Sequence, residues 1–455
     1  MIHDARGLAI DLSDPQALGS YEQALAAFRS YRGDPIAPLD AALAIDPRSA
    51  AGHVAKALIL MTFFERRFAG DALAVLDAAK EVLAKAPARE RALAAAARRL
   101  AEGDWHGGTD ALDRVLADHP RDLLALQVAH LVDFCRGDAL NLRNRVSRVL
   151  PHWPASVPGR SFVLGMHAFG LEECNQYPEA EAAGLAALEA APEDCWAVHA
   201  VVHVLEMQGR IGEGIDFLVS READWATPDN GFAFHNWWHL ALFHMDGGNF
   251  ARALELYDAA LAGAHGMAMS RLDATSLLWR LTLEGAEVGE RFEKVADAWE
   301  GELEREGGFY AFNDFHAALA FAATGRSGAI ARLRRALEEA AGAGIANGEM
   351  TRAVGRDAAE AVIAFREGRH AEAAERLAAV RDGAWRFGGS HAQRDLLTLT
   401  LIEAARRAGR ERLAAHYAAE RIVHKPRSRW GWRLLERLPD ANLRPATAAA
   451  QPAVA

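Results

Sequence analysis

CWAVHAVVHVLEMQGR (Cys195–Arg210) and FHNWWHLALFHMDGG (Phe234–Gly248) are the segments from which the rest of this chain is read. In each, histidines recur at whole helical turns inside an apolar run, and the run stops at a glycine. That spacing predicts two buried α-helices rather than strands. Six of the 18 histidines fall between His167 and His244. Packing a helical repeat does not call for imidazole, so the concentration marks a polar site within an apolar layer.

Outward from these segments the chain is punctuated by Pro47, Pro87, Pro120, Pro154, Pro192 and Pro228, at steps of 40, 33, 34, 38 and 36 residues. A proline cannot continue a helix, so each marks a boundary. Halfway through each step stands a second break, such as Gly70-Asp71, Gly137-Asp138, Gly209-Arg210 or Gly247-Gly248. Two helices per unit of about 34–40 residues is the period of a helix–turn–helix solenoid. Beyond Pro228 the pattern continues through Gly325-Arg326, Gly368-Arg369 and Gly409-Arg410. Strand signals are nearly absent. The fold expected is all-α, a tetratricopeptide-like repeat solenoid running without interruption over 1–440. Residues 441–455 carry one charge, Arg444, and no large apolar group beyond Leu443, which predicts a disordered tail. Ala340–Gly348 reads as a flexible turn or a softened boundary between two halves.

Lys+Arg number 51 against 62 Asp+Glu, a net charge of −11 with no basic block. Nucleic-acid and anionic-membrane surfaces need clustered positive charge, so neither partner is expected. The N-terminus lacks a secretory pattern and no apolar run approaches a membrane span. Cys135, Cys174 and Cys195 have no metal-like spacing and are odd in number, which suits a reduced cytoplasm. Cys195 stands one turn before His199, close enough to be tested as a nucleophile.

In tetratricopeptide-type units the first helix of each pair lines the concave wall. His167, His199, His203, His235, His239, His316 and His391 all fall on segments assigned as first helices, whereas the second helices are alanine, leucine and charge. His199/His203 and His235/His239 are each four apart, one turn along one face. That is the spacing of a metal-binding pair, and Glu206 follows His203 by three. The zinc-protease motif needs glutamate directly after its first histidine; Ala200 and Asn236 stand there instead. Counted back from Gly209 and Gly248, the two pairs are offset by about one helical turn. Three occupants are open: a divalent metal on His199, His203, His235 and His239, a metal-free pocket, or a core of hydrogen-bonded histidines. Glu172, Trp238 and Arg394 are further candidates for ligand contact on the same wall, and Asn313 and Ser390 read as helix caps.

GMHAFGLEECNQYPEAE, CWAVHAVVHVLEMQGR, HNWWHLALFH, SLLWRLTLEGAEVGERF, AFNDFHAALA and GGSHAQRDLL, with weaker matches at YRGDPI, Ala44–Pro47 and Lys425–Ser428, resemble the tetratricopeptide repeat protein 38 family. The resemblance covers nearly the whole chain apart from the tail. It implies a helical-repeat fold and a soluble intracellular protein, and brings no established activity. The expectation is a binding protein whose concave pocket, lined by His167, Glu172, His199, His203, His235, Trp238, His239, His316, His391 and Arg394, takes a small polar molecule or a peptide. The alternative is an enzyme, a hydrolase or lyase, using the same residues on a metal or as acid and base. An assembly scaffold is a third reading, and the oligomeric state is left open.

Overall fold

A computed structural model describes residues 2–438; the expected tail at 441–455 lies outside them. The chain is an all-α, tetratricopeptide-like solenoid of antiparallel helix pairs. Each of the six marker prolines stands in a connection between helices. One element departs from the all-helical expectation, a short antiparallel hairpin pairing Ile2 with Ile10 and His3 with Ala9.

First and second helices differ in burial as their sequences do. The first helix Cys195–Met207 buries 12 of its 13 residues and Ala268–Leu283 buries 14 of 16. The second helices Tyr177–Ala190 and Ile211–Ser220 bury 4 of 14 and 2 of 10. A stripe of small residues is all a second helix needs to seat itself. A first helix buried on every side needs apolar residues all round, which is what CWAVHAVVHVLEM supplies.

The burial arises because the superhelix is wound tightly enough for distant units to touch. Asn230 bridges to Arg32, and the Cys195 thiol lies 3.5 Å from the Ser30 carbonyl. The Arg66 side chain bonds the carbonyls of Arg305 and Gly307, and Ala346 N–H donates to Gly103 O. The Ala340–Gly348 segment is therefore a packed connection against the Gly103 loop. The first helices Cys195–Met207 and Ala268–Leu283 are accordingly packed on nearly every face.

The C-terminal end closes on the centre of the chain in the same way. Ser428 Oγ donates to Asp246 Oδ2 at 2.6 Å, Trp430 Nε1 to Glu284 Oε1 at 2.6 Å, and the Arg433 guanidinium to the carbonyls of Met245 and Asp246. Gly209 lies under this closure. Its φ is 66°, and a Cβ there would meet the Arg427 and Ser428 backbone at 2.7 Å.

Gly409 has the same left-handed conformation, φ 71°, with open space around it. Gly409→Ala should therefore cost only the left-handed penalty, about 1–2 kcal/mol. Gly209→Ala should cost about 1–3 kcal/mol more, because the 425–428 loop must move. Paired denaturant titrations check this; equal losses would mean that the loop does not press on Gly209.

Candidate functional site

The two histidine pairs sit on consecutive first helices, Cys195–Met207 and Ala233–Asp246. Asp194 fixes the start of the former by accepting from the N–H groups of Trp196 and Ala197. The pairs face each other in register, His199 against His235 and His203 against His239, with ring centroids 4.8 and 4.6 Å apart. The offset counted from the glycines does not separate them. The Ala233–Asp246 helix continues about one turn further past its histidines before it stops. His199 and His239 each meet the other three rings at 4.3–5.2 Å. One nitrogen from each of the four lies within 4.8 Å of the others, and all four residues are buried.

Carboxylates from neighbouring helices hold the outer edges of these rings. His235 Nδ1 lies 2.7 Å from Asp273 Oδ2, and His239 Nδ1 lies 2.9 Å from Glu206 Oε2. Burial raises the Asp273 carboxyl and the His235 ring opposes that rise, whereas Glu206 is held low. With both acids ionised they only accept, so both Nδ1 atoms carry the proton and both Nε2 atoms present a lone pair inward. His203 Nδ1 is 3.5 Å from Glu172 Oε2, a charge contact too long for a hydrogen bond. Its Nε2 has no partner in the protein, nor has that of His239. His199 Nε2 and His235 Nε2 are 3.1 Å apart. Two acceptor nitrogens, Nε2 of His235 and Nε2 of His239, thus face inward beside the unpartnered Nε2 of His203, with His199 placed to donate to His235.

Aromatic rings wall off this cluster. Trp238 stacks on His235 (5.2 Å, 14°), Phe169 stands edge-on to His203, and Trp196 and Phe232 pack on His199. Burial and the neighbouring histidines hold His199 well below the usual imidazole range. His239 is depressed likewise, burial outweighing the hydrogen bond to Glu206. Both are therefore neutral. His203 is the exception: burial disfavours its proton, but Glu172 more than offsets this and raises it. Burial raises Glu172 in turn.

A second layer of charge lies behind His239. Burial alone would raise the Glu206 carboxyl, but Lys425 Nζ, 2.9 Å away, and His239 hold it well below the ordinary carboxylate range. Lys425 also lies 3.6 Å from Asp395, which the Arg421 guanidinium grips at 2.8 Å. Arg280, over the Trp238 ring at 5.2 Å, bonds the carbonyls of Ser276, Ala392 and Gln393. These groups and Trp430 line a cavity of about 20 Å³, room for about one water.

The structure brings together five of the residues expected from sequence, His199, His203, His235, His239 and Glu172, with Trp238 as a wall. Trp238 is fully buried and donates Nε1–H to Ser276, so it is packing for His235 rather than a ligand platform. His391 and Arg394 stand one residue further out, both on Glu173. His167 turns away to Ser147 Oγ, and His316 donates to the Phe312 carbonyl among Phe312 and Phe315. Neither joins the cluster; burial pushes His316 down to about 3. Ser390 caps its helix, with Gln393 completing a capping box. Asn313 is no cap: the helix starts at Ala311, whose N–H is taken by Asn347 Oδ1, and Asn313 donates to Phe64 O. Burial raises the Cys195 thiol, which removes it as a nucleophile. Sequence reasoning passed over Asp273 and Lys425 as site residues. Asp273 is a lone acid within SRLDATSLL, at the depth of His235 one repeat on, and that was its available signal.

Lys425→Met should leave Glu206 as an unpaired buried charge and cost about 3–5 kcal/mol in chemical denaturation, with Glu206→Gln in the same chain recovering much of the loss. A loss below about 1 kcal/mol would show that Glu206 is solvated from elsewhere.

No family model matches this chain. Among solved structures, human IFIT1 dimer with PPP-AAAA is similar at 13% identity, covering 94% of this chain and 95% of that one, with a TM-score of 0.41. Cut9 in the APC/C hetero-tetramer Cut9-Hcn1 aligns at 11% over 92% and 95%, TM-score 0.30. The P58(IPK) TPR domain aligns at 14% over 86% and 97%, TM-score 0.20. These are helical-repeat proteins. No helix among the described residues is long and apolar enough to cross a membrane.

Proposed function

We propose that this chain is a metal-binding helical-repeat protein in which His199, His203, His235 and His239 together hold one divalent first-row transition ion. The observation that carries the reading is the inward convergence of imidazole lone pairs whose tautomers are fixed from behind by Asp273 and Glu206. Buried acceptors that face one another are costly unless something electropositive satisfies them. Adding protons would set cations side by side, whereas a metal satisfies all four nitrogens at once. A carboxylate on the far nitrogen of a ligating histidine orients the ring and raises its basicity. Four imidazole ligands, with His203 giving up its extra proton on binding, suit zinc, iron, nickel or copper better than magnesium or calcium. Asp273, buried with no lysine or arginine in its ion pair, supplies negative charge to offset the ion.

Metal-dependent hydrolase or lyase chemistry is the second reading. It is favoured by the charged chain Glu206–Lys425–Asp395, which joins His239 to a cavity wide enough for water. A peptide along the concave wall finds less support, because the first helices are buried. Membership of the tetratricopeptide repeat protein 38 family and a cytoplasmic location belong to the same proposal.

Purified full-length protein should carry at least one equivalent of zinc, iron, manganese, nickel or copper by elemental analysis. His203→Ala and His239→Ala should lose it, and Asp273→Asn should weaken binding about 10–100-fold with all four ligands kept. A metal-free preparation that takes up none of these ions in calorimetry would sink the reading. The cluster would then be a core of ion pairs, His203 with Glu172 and His235 with Asp273.

A further inference from the structure

The outer side of His203 does not resemble the outer sides of its partners. His235 and His239 each donate to a carboxylate within hydrogen-bond distance; His203 Nδ1 does not. It faces Glu172 Oε2 at 3.5 Å, and neither oxygen of this fully buried glutamate has a hydrogen-bond partner in the protein. Glu173 is adjacent and also buried. It accepts His391 N–H on Oε1 at 2.8 Å and Arg394 Nη2 on Oε2 at 3.2 Å. One ligand atom each from Glu172, Glu173 and His203 lie within 4.8 Å of one another.

Most buried carboxylates in this region have a cationic partner; Asp194, which caps its helix, Asp273 and Glu172 do not. Glu206 has Lys425, Asp395 has Arg421, and Glu173 has Arg394. Asp273 and Glu172 have only histidines. Asp273 sits behind the four-histidine centre as an orienting acid. Glu172 is not placed for that task, being too far from Nδ1 to take its proton. A carboxylate with two bare oxygens, a second acid and a bare ring nitrogen form a donor set that a divalent cation can use in place of the His203 proton.

We propose that Glu172, Glu173 and Nδ1 of His203 form a second divalent-metal site, joined to the four-histidine centre through the His203 ring. The inference rests on that centre being metallated through His203 Nε2. When both nitrogens of the ring bind metal, its one N–H proton is released to solvent, and the resulting imidazolate neutralises part of the added charge. With bonds of about 2 Å at each nitrogen, the two ions would stand about 6 Å apart. The ligands of the second site are as buried as those of the four-histidine centre, with side-chain exposures of 0% for Glu172 and His203 and 3% for Glu173.

The test is metal stoichiometry on full-length protein, stripped and reloaded with cobalt(II) or zinc(II). Wild type should take two equivalents, and Glu172→Gln and Glu172→Met should each take one. Both variants remove a buried charge and should keep the melting temperature of the stripped wild type. Copper(II) in both sites should give a magnetically coupled pair with a diminished resonance signal, and Glu172→Met should restore the signal of an isolated ion. One equivalent in wild type, kept in both Glu172 variants and lost in His235→Ala, would overturn the second site and leave the four-histidine centre standing. No metal in wild type would overturn both.

Discussion

A buried neutral imidazole must place one donor and one acceptor, and four of them packed at 4.3–5.2 Å cannot all do so among themselves. The arrangement around them follows from that constraint. Asp273 and Glu206 take the Nδ1 protons of His235 and His239, which turns the remaining lone pairs inward. Phe169, Trp196, Phe232 and Trp238 exclude water from the sides, so the lone pairs cannot be satisfied by solvent. The first helices carry this group because their other residues are apolar on every face, and the low polarity strengthens each charge interaction within.

The orienting acids come from parts of the chain that only the superhelix brings together. Asp273 lies one repeat beyond His235. Glu206 shares a helix with His203 yet serves His239, and it is kept ionised by Lys425, 219 residues away in sequence. That lysine is in place because the 425–428 loop presses on Gly209 and because Ser428, Trp430 and Arg433 fasten the C-terminal helix to Asp246, Met245 and Glu284. Stability of the last repeat and electrostatics of the central site are thereby linked through one ion pair.

Much of the architecture was legible in the sequence. The proline and glycine periods gave the helix pairs, and i, i+4 histidines on apolar helices gave the cluster. What escaped was what depends on closure of the coil. Lys425 looks like any loop lysine until the winding sets it on Glu206. Asp273 looks like an ordinary polar helix residue until its depth is matched to His235. His167 and His316 share the helical placement of the clustered histidines and still lie outside it, because their rings find Ser147 and the Phe312 carbonyl nearby. An open groove was the natural expectation for a repeat scaffold, but the first helices that would line it are buried, Cys195–Met207 in 12 of its 13 residues.

The most direct measurement is anomalous diffraction from crystals of the protein as purified, collected on both sides of the absorption edge of the metal found in it. The convergence of fixed imidazole lone pairs predicts an anomalous peak among His199, His203, His235 and His239, about 2.0–2.2 Å from one nitrogen of each. Density for water alone at that point, or four rings paired directly with one another and with Glu172 and Asp273 and no anomalous signal even after soaking with zinc, would contradict it.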